Sequence, residues 1–143
     1  LATKTTGPDG VVLFADLTPG AYTVREKSAP EGYDLSASSS SGVTVAAGTT
    51  THVSFTNERI MGRIRVNKTD SLTGKPLAGA VFSVTRLTGP ASDNAADIGR
   101  TITTNAQGIA ETEPLPWGQY RITETGVPSG YLDAGYTTTV TIR

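Results

Sequence analysis

The chain has 143 residues, a formal net charge of −1 and 36% apolar residues, with 16 glycines, 8 prolines and no cysteine. That balance gives no reason to expect nucleic acid or an anionic membrane as partner, and disulfide or thiol chemistry is excluded. No apolar run approaches the ~18 residues needed to cross a bilayer, and no leader or wall-sorting tail is visible.

Short β-rich runs bounded by glycine and proline follow one another, the pattern of an all-β sandwich. The turn GPDG at 7–10 leads into a predicted strand, Val11 to Leu17, and Thr18-Pro19-Gly20 turns the chain into Ala21 to Glu26. After APEGY comes a weaker segment, Asp34 to Val45, and a predicted strand over Thr50 to Asn57 closes the first unit. Residues 58–61 read as a connector. The second unit opens with Arg63 to Lys68, turns at Asp70 to Gly74 and continues through Ala80 to Thr85. Residues 88–99, TGPASDNAADIG, read as a solvated loop, and Tyr136 to Ile142 as the final strand.

Gly118 to Tyr131, GQYRITETGVPSGY, has a near copy in Gly20 to Tyr33, GAYTVREKSAPEGY. Tyr22 and Tyr120, Glu26 and Glu124, and Tyr33 and Tyr131 are each 98 positions apart. The expected organisation is therefore one and a half repeats. Residues 1–58 form a partial sandwich lacking its first strands, and 59–143 a sandwich lacking its last strand. Both ends are read as falling inside a repeat, so the chain resembles a window on a longer polypeptide.

Alternation along each strand singles out three polar residues. Ile64, Val66 and Lys68 share a face; so do Tyr120, Ile122 and Glu124; so do Val53, Phe55 and Asn57. The first copy repeats the second series with Tyr22, Val24 and Glu26. A lysine, a glutamate and an asparagine thus continue core-facing series, where a lone charge costs several kcal/mol unless it is paired or neutralised. A neutral amine beside a protonated carboxyl is the combination needed to attack a carboxamide. Lys68 would be the nucleophile, Glu124 the proton shuttle, and an asparagine equivalent to Asn57 the electrophile that loses ammonia. The plainer reading is that alternation runs out at strand ends, leaving a surface ion pair worth ~0–1 kcal/mol.

VNKTDSLTGKPLAGAVFSV followed by LPWGQYRITETGVPSGY resembles the collagen-adhesin B-type repeat of Gram-positive surface adhesins and pilins. The resemblance covers nearly all of the chain and implies tandem prealbumin-like (inverse immunoglobulin-like) β-sandwiches. Many members of that family carry an intramolecular Lys–Asn or Lys–Asp isopeptide bond between first and last strands, assisted by a glutamate in the ETxxPxGY strand. Lys68 matches the family lysine, Glu124 and Glu26 the assisting glutamate, and Asn57 in VSFTNE the acceptor. The first copy has no lysine at the required position and the second no acceptor, while Lys4 and Lys27 fit neither role. A complete triad therefore calls for residues outside this window or in another chain. The family's first and last strands run parallel, so joining Lys68 to Asn57 within one chain means returning along roughly 20 Å of strand. Residues 58–61 span only about 14 Å at full stretch.

Other candidates are weaker. His52 is the only histidine and points outward by parity, so no metal site is expected. Asp93 and Asp97 match no calcium-loop spacing. Trp117 is a candidate ligand contact, but more often such a residue covers the end of a core. The implied function is a structural stalk module of a cell-surface adhesin or pilin, extracellular and either wall-anchored or secreted. It is not an enzyme on external substrates, it uses no cofactor, and its partners are neighbouring repeats of the same polypeptide. Two alternatives stand beside it. One is a module that binds a host matrix protein or glycan, including an accessory domain of a secreted glycosidase, through Trp117 and the 88–99 loop. The other is a strand-complemented extracellular polymer.

Overall fold

The computed structural model describes residues 1–35, 40–90 and 99–143. It contains strands β1 (Gly20–Arg25), β2 (Ser40–Val45), β3 (Met61–Gly62), β4 (Arg65–Asn67) and β5 (Val81–Thr88). The remaining strands are β6 (Arg100–Thr103), β7 (Ile109–Glu111), β8 (Leu115–Pro116), β9 (Gly118–Gly126) and β10 (Thr137–Ile142). No helix occurs among the described residues. The chain divides into two compact units, one of Leu1–Lys27 with Ser36–Thr56, the other of Ser28–Leu35 with Asn57–Arg143.

The second unit is a sandwich. One layer is an antiparallel sheet in the order β10-β9-β5-β6. The other is built from the pairs β3–β8 and β4–β7, and Thr112 joins them by donating its N–H to Ile64 O and accepting Ile64 N–H on Oγ1. Alternation sends Phe82 and Val84, Tyr120 and Ile122, Ile102 and Ile142 inward from the sheet, against Ile64, Ala110 and Leu115. Tyr120, Phe82, Leu115 and Val84 are almost completely buried. Each such side chain contributes roughly 1.5–3 kcal/mol of burial. Gly62 allows the layers to close at one corner, since a Cβ there would lie 2.9 Å from Ile142 Cγ2.

In the first unit β1 pairs with β2, Gly20 opposite Val45 and Arg25 opposite Ser40. Two predicted strands do not form here. Val11 to Leu17 and Thr50 to Asn57 are extended or irregular, without a ladder. A strand persists when its backbone groups find a neighbour, and residue pattern alone does not supply one. The opening strand of the second unit is shorter than expected, with a ladder over Arg65–Asn67, and in the weaker segment Asp34 to Val45 the described ladder covers Ser40–Val45. Residues 58–61 are more than a connector: Arg59 bridges Tyr33, Ile60 N–H donates to Gly32 O, and Met61 begins β3. The 91–98 part of the predicted loop, with Asp93 and Asp97, lies outside the described residues.

The 98-residue period is visible in the backbone. Gly10 N–H donates to Gly7 O and Gly108 N–H to Asn105 O, each at 2.9 Å. Tyr22 hydroxyl donates to Thr18 O and Tyr120 hydroxyl to Pro116 O, each at 2.7 Å.

A lysine–glutamate pair beneath the sheet edge

Lys68 follows β4 directly, and its main chain is held on both sides. Its N–H donates to Gly108 O at 2.7 Å and its carbonyl accepts from Leu77 N at 3.0 Å. Gly108 has φ of 70°, and a Cβ there would collide with the Lys68 carbonyl, so only glycine permits this approach. Glu124 lies near the end of β9, opposite Phe82 of β5, and donates its N–H to Tyr136 O at 2.9 Å. Alternation continues inward at both places, and the side chains meet: Lys68 Nζ donates to Glu124 Oε2 at 2.8 Å. The Glu124 side chain is 1% exposed and that of Lys68 28%.

This geometry differs from the surface pair that the plainer reading anticipates. The surface version exists on the outer face of the same strand, where Arg65 Nε meets Glu111 Oε2 at 2.7 Å with side chains 60% and 33% exposed. At Lys68 the carboxylate is wholly inside. Its second oxygen, Oε1, is buried without a hydrogen-bond partner among the described residues. A buried carboxylate oxygen left unmatched costs on the order of 1–3 kcal/mol or more.

The turn that follows Lys68 makes a further contact. Asp70 accepts from Leu72 N and Thr73 N, each at 2.8 Å, and its other oxygen accepts the Tyr131 hydroxyl at 2.8 Å. The Thr73 amide, then Tyr131, then the Leu72 amide hold the Asp70 carboxyl down at about 2 from its ordinary 3.8. The hydrogen bond to Asp70 pushes the Tyr131 phenol upward. The motif tyrosine thus fastens the PSGY turn to the turn that follows the lysine strand. Alternation does not point to this contact, because both residues sit in turns.

The other sequence candidates fall elsewhere. Glu26 and Asn57 are half-buried in different compact units, and Tyr22 and Val24 are half-buried as well. His52 is exposed, and no group of three His, Cys, Asp or Glu able to hold a metal occurs among the described residues. Trp117 is half-buried, with its N–H donated to Ile60 O and its carbonyl accepting from Arg86 Nη2 at 2.6 Å. Arg86 is 7% exposed and escapes a search for chemistry, although it continues the inward series of Phe82 and Val84. Its Nε also donates to Thr88 O, so its role is to satisfy main-chain carbonyls at the end of β5.

The family model of the SpaA prealbumin-like fold domain matches residues 1–59 and again 62–143. A solved structure described as the Bacillus anthracis TIE protein superposes with a TM-score of 0.80 at 28% identity, over 96% of this chain and 25% of that one. A Streptococcal ancillary pilin matches at 23% identity with a TM-score of 0.48, over 90% of this chain and 39% of that one. The chain thus spans well under half the length of either. No curated protein sequence matches it.

Proposed function

We propose that this chain, which belongs to the SpaA prealbumin-like fold domain family, is a stalk module of an extracellular pilin or adhesin, stapled by a Lys–Asn isopeptide bond. The observation that carries the reading is Glu124, with one oxygen on Lys68 Nζ and the other buried and unmatched among the described residues. An asparagine brought in by a closing strand beside β4 would donate its amide N–H to Oε1. The Lys68 amine then attacks the carboxamide carbon, Glu124 carries the proton from the amine to the leaving nitrogen, and ammonia departs as the new amide forms. Lys68 is the nucleophile and Glu124 the acid–base group. Glu26 and Asn57 hold the matching roles for the first repeat, with its lysine outside this window. A strand contributed by another chain would complete either site equally well.

Such a bond closes nearly a whole repeat. By analogy with a disulfide around a loop of about 100 residues, it is worth roughly 4–5 kcal/mol through the unfolded state. That approaches the whole net stability of a small domain, about 5–15 kcal/mol. Between terminal strands it also carries tension without unfolding the sandwich, and reductant leaves it intact. Among the described residues no helix is long and apolar enough to cross a membrane. Neighbouring repeats are the expected partners, and Trp117, half-buried with its main chain bonded to Ile60 and Arg86, fits the reading in which it covers the end of the core.

Mass spectrometry of a longer chain that includes the closing strand after Arg143 tests this. The folded protein should be lighter by one ammonia per bond, and Lys68→Ala or Glu124→Ala should restore the full mass. An unshifted mass in correctly folded protein rejects the staple.

A further inference from the structure

Two turns of the same local shape meet different surroundings. Gly32 in APEGY and Gly130 in VPSGY have φ of 86° and 89°. The tyrosine after each donates its N–H to a proline carbonyl at 3.1 Å, Tyr33 to Pro30 and Tyr131 to Pro128. Yet Gly32 is buried and Gly130 is exposed. A Cβ on Gly32 would come within 2.6 Å of Pro90 Cγ and 3.6 Å of Trp117 Cβ, whereas one on Gly130 would meet nothing within 4 Å among the described residues.

The cover over the first turn is specific. Ile60 N–H donates to Gly32 O at 3.0 Å, Asp34 N–H donates to Glu58 O at 2.8 Å, and the Arg59 guanidinium lies 5.6 Å from the Tyr33 ring centre. By sequence period this turn belongs to the first repeat. By packing it belongs to the second compact unit, since Ser28–Leu35 groups with Asn57–Arg143. Each of its partners comes from the connector or from the tryptophan-bearing end of that unit.

We propose that the Gly130–Leu132 turn is the docking surface for a further prealbumin-like unit of the same polypeptide, which would cover it with its own connector and tryptophan-bearing end. This rests on the tandem-stalk reading and adds the joint between repeats. Tyr131 and Leu132 are 40% and 94% exposed and supply the apolar area such an end would cover. Glycine serves twice at this joint. It takes the left-handed turn, and it lets the next unit approach the backbone.

The test compares Gly32→Ala with Gly130→Ala in this chain and in an extended chain that repeats residues 46–143 directly after Ile142. Val45 faces Gly20 across β1 and β2 as Ile142 faces Gly118 across β9 and β10, so the junction keeps strand register. Both substitutions strain the same backbone conformation, and the difference between them reads the neighbouring unit. In this chain Gly32→Ala should lower the melting temperature, followed by tryptophan fluorescence, by at least about 4 °C more than Gly130→Ala. In the extended chain Gly130→Ala should become as damaging as Gly32→Ala. The amides of Gly130 to Leu132 should also exchange at least about tenfold more slowly there. If the added unit folds but the Gly130→Ala effect and the amide rates stay unchanged, docking is overturned while the ammonia-loss test stands apart. Failure of the added unit to fold overturns it too, because that unit has only the Gly130 turn to complete its end.

Discussion

The two copies of the Tyr-x-(Val/Ile)-x-Glu strand differ in how much protein surrounds them. In the second unit Tyr120, Ile122 and Glu124 are buried at 0%, 2% and 4% exposure. In the first unit Tyr22, Val24 and Glu26 keep the same alternation but are only half-buried. The strands themselves are alike, down to the tyrosine hydroxyl that donates to a carbonyl at the preceding turn. What differs is the sheet. β9 lies between β10 and β5, while β1 pairs with β2 alone among the described residues. A motif therefore specifies direction, and its neighbours decide depth.

The largest expected contrast is Tyr120→Ala against Tyr22→Ala. Removing a fully buried aromatic costs about 3–5 kcal/mol, and a half-covered one well under that. Hydrogen exchange resolved by unit should show loss of protection in the second unit for Tyr120→Ala and a modest change in the first for Tyr22→Ala. Equal losses would mean that β1 is covered in solution as β9 is.

Next comes the pair beneath the edge. In this chain Lys68→Ala leaves the Glu124 carboxylate inside without its cation and should destabilise the second unit by about 2–4 kcal/mol. Arg65→Ala, which breaks the exposed pair with Glu111, should cost about 0–1 kcal/mol. Replacing both members, Lys68→Met with Glu124→Leu, should recover most of the loss. If the two single lysine and arginine variants unfold alike, the inner pair is no more than another surface contact.

The smallest effect is a pH dependence at the turn. Asp70 is depressed to about 2 in the folded chain. The stability it contributes is therefore present above its ordinary value of 3.8 and is lost as pH falls toward about 2. Tyr131→Phe removes one of the hydrogen bonds responsible, so it should flatten stability between about pH 4 and pH 2 in an acid titration. A titration identical to that of the parent would show that the backbone amides of Leu72 and Thr73 hold Asp70 unaided.

Much of this was legible in the residue pattern. Parity placed Lys68 and Glu124 on inward faces, and the two side chains lie 2.8 Å apart. The period joined Gly10 to Gly108 and Tyr22 to Tyr120, and local hydrogen bonds repeat at both. Val11 to Leu17 and Thr50 to Asn57 have strand composition as good as that of β4, yet form no ladder. Composition reports what a segment can pair with, not whether a partner arrives. Arg86 and the Asp70–Tyr131 contact were illegible for another reason. One acts on main-chain carbonyls, and the other joins turns far apart in sequence.

Alternation and repeat are local properties, so the sequence alone determined an all-β chain, its 98-residue period and the inward direction of its lysine and glutamate. Tertiary structure decided which copy is buried, which carboxylate oxygen is left unmatched, and that the Gly32 turn packs within the following unit. Those outcomes depend on which backbone and side-chain groups meet across long stretches of chain, and on how much water the meeting excludes.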